Sequence, residues 1–161
     1  MHLAQLNIAE SLYPMTDARM VPFTDRIEAI NELADRSDGF VWRLKDDSAV
    51  DGALDLRLPG DEHTLVNMSI WQDTESLFGF VYKTAHAKVM TSNRDNFKDL
   101  IKNHFVLWWI EEGHIPDLVE AKAKLDHLCE YGASPQAFTF KTPFDQNGLA
   151  ISPQFPKKDC A

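Results

Sequence analysis

A chain of 161 residues and 18.3 kDa, 44% of it hydrophobic, is long enough to bury the core of one globular domain. Its net charge of −9 and pI near 5.0 exclude the basic surface that binding to nucleic acid or to an anionic membrane requires. No apolar run reaches the length of a membrane span. The opening MHLAQLNIAES has neither a basic start nor a long apolar stretch, so no signal peptide is expected. Cys129 and Cys160 make no disulfide framework and suit a reducing cytoplasm.

Residues 2–9 alternate, with Leu3, Gln5 and Asn7 on one side and Ala4, Leu6 and Ile8 on the other, which predicts a strand. Tyr13-Pro14 marks a loop over 10–20. A helix starts at Pro22, carries Phe23, Ile27, Ile30 and Ala34 as its buried stripe, and ends at Asp38-Gly39. The second strand, 40–44, has faces Phe40/Trp42/Leu44 and Val41/Arg43. Residues 45–63 are acidic and broken by glycine and proline; they read as a solvated hairpin connection, with a lid as the sharper alternative.

LVNMSIW, 65–71, is the third strand, with Val66, Met68 and Ile70 against Leu65, Asn67, Ser69 and Trp71. Asp73 caps a second helix whose ridge Phe78, Tyr82, His86, Met90 runs at i, i+4 steps. After a short irregular stretch at NFKDLIKNH, residues 105–110 form a fourth strand so apolar that both of its faces must be covered. Gly113 and Pro116 break the chain, and Asp117 with Glu120 makes a capping box. The last helix buries Leu118, Ala121, Leu125 and Leu128 and stops at Gly132. Residues 138–140 add a short edge strand. From 145 to 161 no periodicity remains, so a domain over 1–144 is followed by an extended or disordered tail.

The order β-α-β-β-α-β-α contains the split β-α-β, ferredoxin-like pattern: an α+β fold on a four-stranded antiparallel sheet, here with a C-terminal helix. Helices then cover one sheet face. The Ala4/Leu6/Ile8 and Val66/Met68/Ile70 sets suit that covered face. The opposite face would hold Leu3, Gln5, Asn7, Asn67, Ser69 and Trp71, with Val41 and Arg43 if the apolar side of the second strand packs under the helices, and one of Trp108 or Trp109. A tryptophan buries about 150–250 Å², worth on the order of 4–6 kcal/mol at about 25 cal/mol per Å². Leaving two of them in water is unfavourable, so this reading favours a homodimer whose sheet faces enclose a half-polar cavity over a monomer with a wet face.

Several residues then have a functional and a structural reading. His86 is a general base for a phenol or enol, or an axial heme ligand; otherwise it is a helix histidine bonded to a carbonyl. Asn7 and Asn67 are amide donors to an oxyanion, or a cross-strand pair. Arg43 holds an anionic group, or makes an intersubunit salt bridge. Trp42, Trp71 and Trp109 line an aromatic pocket, or pack. Tyr82 donates into the cavity, or packs on its helix. The six histidines form no HxH or HxxxH pair, so no built-in zinc site is expected. Glu111-Glu112 beside His114 reads as a solvated turn, and there is no G-x-S-x-G, Gly-rich phosphate loop or CxxC.

SIWQDTESLFGFVYKTAHAKVM resembles the strand-Trp-helix-His segment of the dimeric α/β-barrel superfamily, which includes antibiotic-biosynthesis monooxygenases. MHLAQLNIA, GFVWRL, NMSIW, FVYKTAH, VLWWI, EEGHIP and EAKAKLDHL resemble, in collinear order over 2–144, a family of that superfamily known only as a domain of unknown function. The resemblance implies the fold and a homodimer, and no particular reaction. The superfamily includes cofactor-independent oxygenases of polyketide quinols, heme-degrading oxygenases, chlorite-dismutase-like enzymes, isomerases and binding proteins, so fold does not choose among them. Asn7 and His86 match the asparagine and histidine of the heme-degrading branch, but its helix tryptophan is absent, since Phe80 stands there and Trp71 lies on the strand. The expected function is that of a monooxygenase-like enzyme. A small hydrophobic, aromatic substrate sits against Trp71, His86 removes a proton, and Asn7 or Asn67 steadies the oxyanion. No cofactor is required, with heme as the alternative. A non-catalytic heme or metabolite binder, or a structural dimer without a site, are the competing readings.

Overall fold

A computed structural model describes residues 1–14, 16–45, 63–83, 94–98 and 104–153. Its elements are β1 (His2–Glu10), α1 (Val21–Asp35), β2 (Phe40–Arg43), β3 (Thr64–Trp71), α2 (Thr74–Lys83), β4 (Phe105–Ile110) and α3 (Leu118–Tyr131), with 3-10 turns at Ala18–Met20 and Arg94–Asn96. The sheet runs β2-β3-β1-β4, and its pairings are antiparallel. This is the ferredoxin-like α+β arrangement with a C-terminal helix added.

β1 sits inside the sheet, paired from Leu3↔Trp71 to Glu10↔Thr64 on one edge and from His2↔Ile110 to Asn7↔Phe105 on the other. Directly opposed residues share a face. Ala4, Leu6, Met68, Ile70, Val106 and Trp108 therefore form one apolar face, and α3 lays Leu118, Ala121, Leu125 and Leu128 on it. Leu3, Trp71 and Leu107 lie on the other, together with Ala34 of α1, Leu77 and Phe78 of α2, and Phe138 and Phe140.

The alternation read from the sequence is present, but the sides are exchanged. The first two helices cover the mixed face, and the expected bare face does not exist. The apolar stripe of α3 claims the purely apolar face. α1 and α2 bring aromatic rings, which suit the Trp71 side. Trp71 is fully buried within the single chain, so the dimer argument that rested on its exposure loses its premise.

β2 also departs from simple alternation. Phe40 opposes Trp71 and Trp42 opposes Ile70, so Val41 is an extra residue in a bulge. Phe40 and Arg43 consequently face α1 and α2, while Trp42 and Leu44 pack against the α3 cluster. On β4 the two tryptophans diverge. Trp108 points to α3 and donates its indole N–H to Glu120 Oε1 at 2.9 Å; Trp109 points the other way and donates to the Phe144 carbonyl at 2.9 Å.

The helix starts follow local chemistry. Asp73 Oδ1 accepts from the Ser76 N–H at 2.8 Å, and Asp117 Oδ1 from the Glu120 N–H at 2.8 Å. The Glu120 carboxylate holds Trp108 and, at 2.7 Å, His114 Nε2.

Phe138 exchanges both backbone hydrogen bonds with Leu107 on the outer edge of β4, at 2.8 and 2.9 Å. Past 145, where the sequence predicts an extended or disordered tail, residues 143–151 turn back as a hairpin. It is closed by Asp145 N–H to Leu149 O at 2.8 Å and Ile151 N–H to Pro143 O at 2.9 Å. Asp145 Oδ1 also accepts the N–H groups of Asn147 and Leu149. Residues 46–62, read as a connection or lid, and 154–161 lie outside the described residues. Among the described residues, no helix is long and apolar enough to cross a membrane.

The turn from α1 into β2 depends on Gly39, which has φ of +76° and whose missing Cβ would collide with the Ser76 side chain on α2. Gly39→Ala is expected to lower stability by about 2 kcal/mol or more. Denaturant unfolding checks this: the midpoint falls while the slope is unchanged.

Candidate functional site

The β1–β3 register lays three cross-strand pairs side by side on the face beneath α1 and α2: Leu3↔Trp71, Gln5↔Ser69 and Asn7↔Asn67. The first pair is dry. Trp71 stacks on Phe80 with ring centroids 5.1 Å apart and meets Phe40 edge-on at 5.4 Å. Its indole N–H donates to Ser69 Oγ at 2.8 Å. Gln5 Nε2 donates to the same Oγ at 2.9 Å and to Asn67 Oδ1 at 2.8 Å. Gln5 and Ser69 are each only 6% exposed. At the far end Asn7 is half-buried and Asn67 is exposed. The face thus runs from a sealed aromatic end, through a buried polar middle, to an accessible pair of amides.

Aromatic rings border the accessible end. Phe105 opposes Asn7 and stacks on Phe140 with centroids 5.3 Å apart. Phe140 is edge-on to Phe78 at 5.6 Å and to Tyr82 at 5.8 Å. Tyr82 is 42% exposed, and its partial desolvation against these rings raises its pKa above the ordinary 10.0 by disfavouring the phenolate. On the other flank Arg43 opposes Ser69, and its guanidinium is held by Asp35 at 2.9 and 3.3 Å. Arg43 is therefore in an ion pair within the chain. It borders an open groove of about 540 Å³ whose other walls include Ile27, Glu28, Asn31 and Lys45.

Of the residues singled out from the sequence, Asn7, Asn67, Arg43, Tyr82, Trp71 and Trp109 share this face. Trp42 lies on the opposite face, moved there by the bulge. Trp71 is enclosed, with no surface left for a ligand. His86 lies outside the described residues. Gln5 and Ser69 were not among the candidates, although a glutamine between Ala4 and Leu6 in an otherwise apolar strand is a visible signal. Phe105 and Phe140 carried no signal, because nothing in the local pattern tells which aromatic meets Tyr82. Among the described residues, no group of three or more His, Cys, Asp or Glu side chains is placed to hold a metal ion.

Fold and face together define a ferredoxin-like α+β protein with a polar, aromatic-bordered sheet face under its helices. The model of the family described as Domain of unknown function (DUF3291) matches residues 2–153, and the chain belongs to that family. No curated protein matches it. Among solved structures it is similar to SnoaB, a cofactor-independent oxygenase from Streptomyces nogalater. Identity is 14% and the TM-score 0.46, over 69% of this chain and 94% of that one. It is also similar to a provisionally named antibiotic biosynthesis monooxygenase from Chloroflexus aurantiacus J-10-fl. Identity there is 10% and the TM-score 0.45, over 71% of this chain and 97% of the other.

The raised Tyr82 pKa has a sign. In the unfolded chain the phenol ionises near 10, and in the folded chain only above it, so its contribution to stability is intact below pH 10 and is lost as pH rises beyond. Tyr82→Phe is expected to remove a phenolate step that lies above pH 10 from an ultraviolet titration. It should also lose less stability than wild type between neutral and strongly alkaline pH.

Proposed function

We propose that this protein is a small-molecule enzyme of the monooxygenase type that holds a hydrophobic, aromatic substrate over the Asn7–Asn67 end of the sheet. The observation that carries the reading is the juxtaposition of these amides with the Phe105–Phe140–Tyr82 rings, polar donors beside an apolar wall. The site therefore lies beneath α1 and α2, and not on the opposite side of the sheet. Trp71 acts through Ser69 rather than on the substrate. His86, four residues beyond Tyr82 in the chain, takes the proton of a phenol or enol. The amide N–H of Asn7 or Asn67 donates to the oxyanion that forms, and dioxygen adds to the electron-rich carbon without a metal.

One observation favours a binding protein without chemistry. The polar groups of Gln5, Asn7, Asn67 and Ser69 are uncharged and hold a ligand, but none takes a proton at neutral pH. Aerobic oxidation of an anthracene quinol separates the two. The enzyme reading expects His86→Ala to slow turnover by about 10²–10⁴-fold while changing substrate affinity little. Unchanged turnover refutes the role of His86. A Soret band with hemin that His86→Ala abolishes, without oxidation of substrate, supports the binding protein.

The same reading includes a homodimer in the reducing cytoplasm. α3 lies over β4 and β1, and on the rest of its face Ile8, Val66, Trp42 and Leu44 remain only partly buried. A second copy seated on this strip would cover it. Light scattering is expected to give twice 18.3 kDa, about 37 kDa. Trp42→Asp is expected to shift the mass to that of one chain.

A further inference from the structure

Buried polar atoms in folded proteins are almost always matched by partners. Gln5 is an exception. Its Nε2 spends both hydrogens, on Asn67 Oδ1 at 2.8 Å and on Ser69 Oγ at 2.9 Å. Its Oε1 has no hydrogen-bond partner among the described residues, although the side chain is only 6% exposed. Turning the amide over does not remove the mismatch. Oε1 would then accept from Asn67 and Ser69, and the NH₂ group would be the half left over. Ser69 adds to the imbalance, since its Oγ already accepts from Gln5 and from Trp71 and so has its own hydrogen to give away from both.

The neighbours on this face share that unspent capacity. Asn7, two residues along the strand, makes no side-chain hydrogen bond among the described residues, and Asn67 uses only its Oδ1. None of these groups carries charge. The cation on the flank, Arg43, is already neutralised by Asp35. A buried carboxylate placed here would meet the neutral dipoles of Gln5, Asn7, Asn67 and Ser69, at a large desolvation cost. An uncharged hydroxyl would instead give its hydrogen to Gln5 Oε1 and accept one from the Ser69 hydroxyl or an asparagine amide.

We infer that Gln5 is a recognition residue of this site, selecting an aromatic ligand by a neutral hydroxyl group and against a ring bearing a carboxylate. The inference rests on the aromatic site proposed above and names its substrate class: phenols and enols that enter protonated.

Titration of the full-length protein with naphthalene, 1-naphthol and 1-naphthoate at neutral pH tests it, followed through tryptophan fluorescence. Wild type is expected to bind 1-naphthol at least about tenfold tighter than either of the others. Gln5→Leu is expected to cut the preference for 1-naphthol over naphthalene below about threefold while leaving naphthalene binding in place. Circular dichroism checks that the variant folds, and the wild-type preference stands as a test without it. Equal binding of 1-naphthol and naphthalene, or a preference that survives Gln5→Leu, overturns the role of Gln5 and leaves the aromatic site standing. Tighter binding of 1-naphthoate overturns it in favour of recognition by a cation. If none of the three binds, the aromatic site falls, and the role of Gln5 with it.

Discussion

β1 is hydrogen-bonded along both edges, and the placement of nearly every other group follows from that constraint. Two antiparallel ladders must agree on one strand. A slip of one residue on either side would turn Leu3, Gln5 and Asn7 out of line with Trp71, Ser69 and Asn67 and exchange every side chain between the faces. The register that forms lets Trp71, 0% exposed, complete an aromatic layer with Phe40 and Phe80 while its N–H finds Ser69. Burial of a ring of that size is worth on the order of 4–6 kcal/mol, a large share of the stability of a domain.

The two faces then differ in kind. Under α3 the contacts are apolar apart from one indole N–H, which Glu120 receives from the helix that covers it. Under α1 and α2 the sheet holds a polar seam between an aromatic layer and the open end. An apolar residue in place of Gln5 would remove the unmatched half of its amide, so the seam is not what stability alone would select. Its cost is reduced by sharing: one hydroxyl serves both Gln5 and Trp71.

The C-terminal segment ties these parts together. Phe138 extends β4 through its backbone, Phe140 closes the ring cluster over Phe105, and the Phe144 carbonyl takes the N–H of Trp109. A stretch without periodicity thus supplies one wall of the candidate site. Its order comes from contacts with distant residues and from the Asp145 side chain, which holds the hairpin turn.

Some of this was legible from residue order alone. The four strands, three helices, their caps at Asp73 and Asp117, and the grouping of Asn7 with Asn67 follow from local periodicity and turn chemistry, which act over a few residues. Which helix covers which face did not, because both faces carry enough apolar surface to accept one. The choice is made by the shapes that α3 and the aromatic residues of α1 and α2 bring from elsewhere in the chain. The bulge at Val41, which sends Trp42 away from Arg43's neighbours, is likewise invisible to alternation, since it arises from the fit of β2 to β3. The polarity of Gln5 and Ser69 was plain in the sequence. That one half of the Gln5 amide has no partner among the described residues was decided only in three dimensions, where hydrogen bonds are matched between strands more than sixty residues apart.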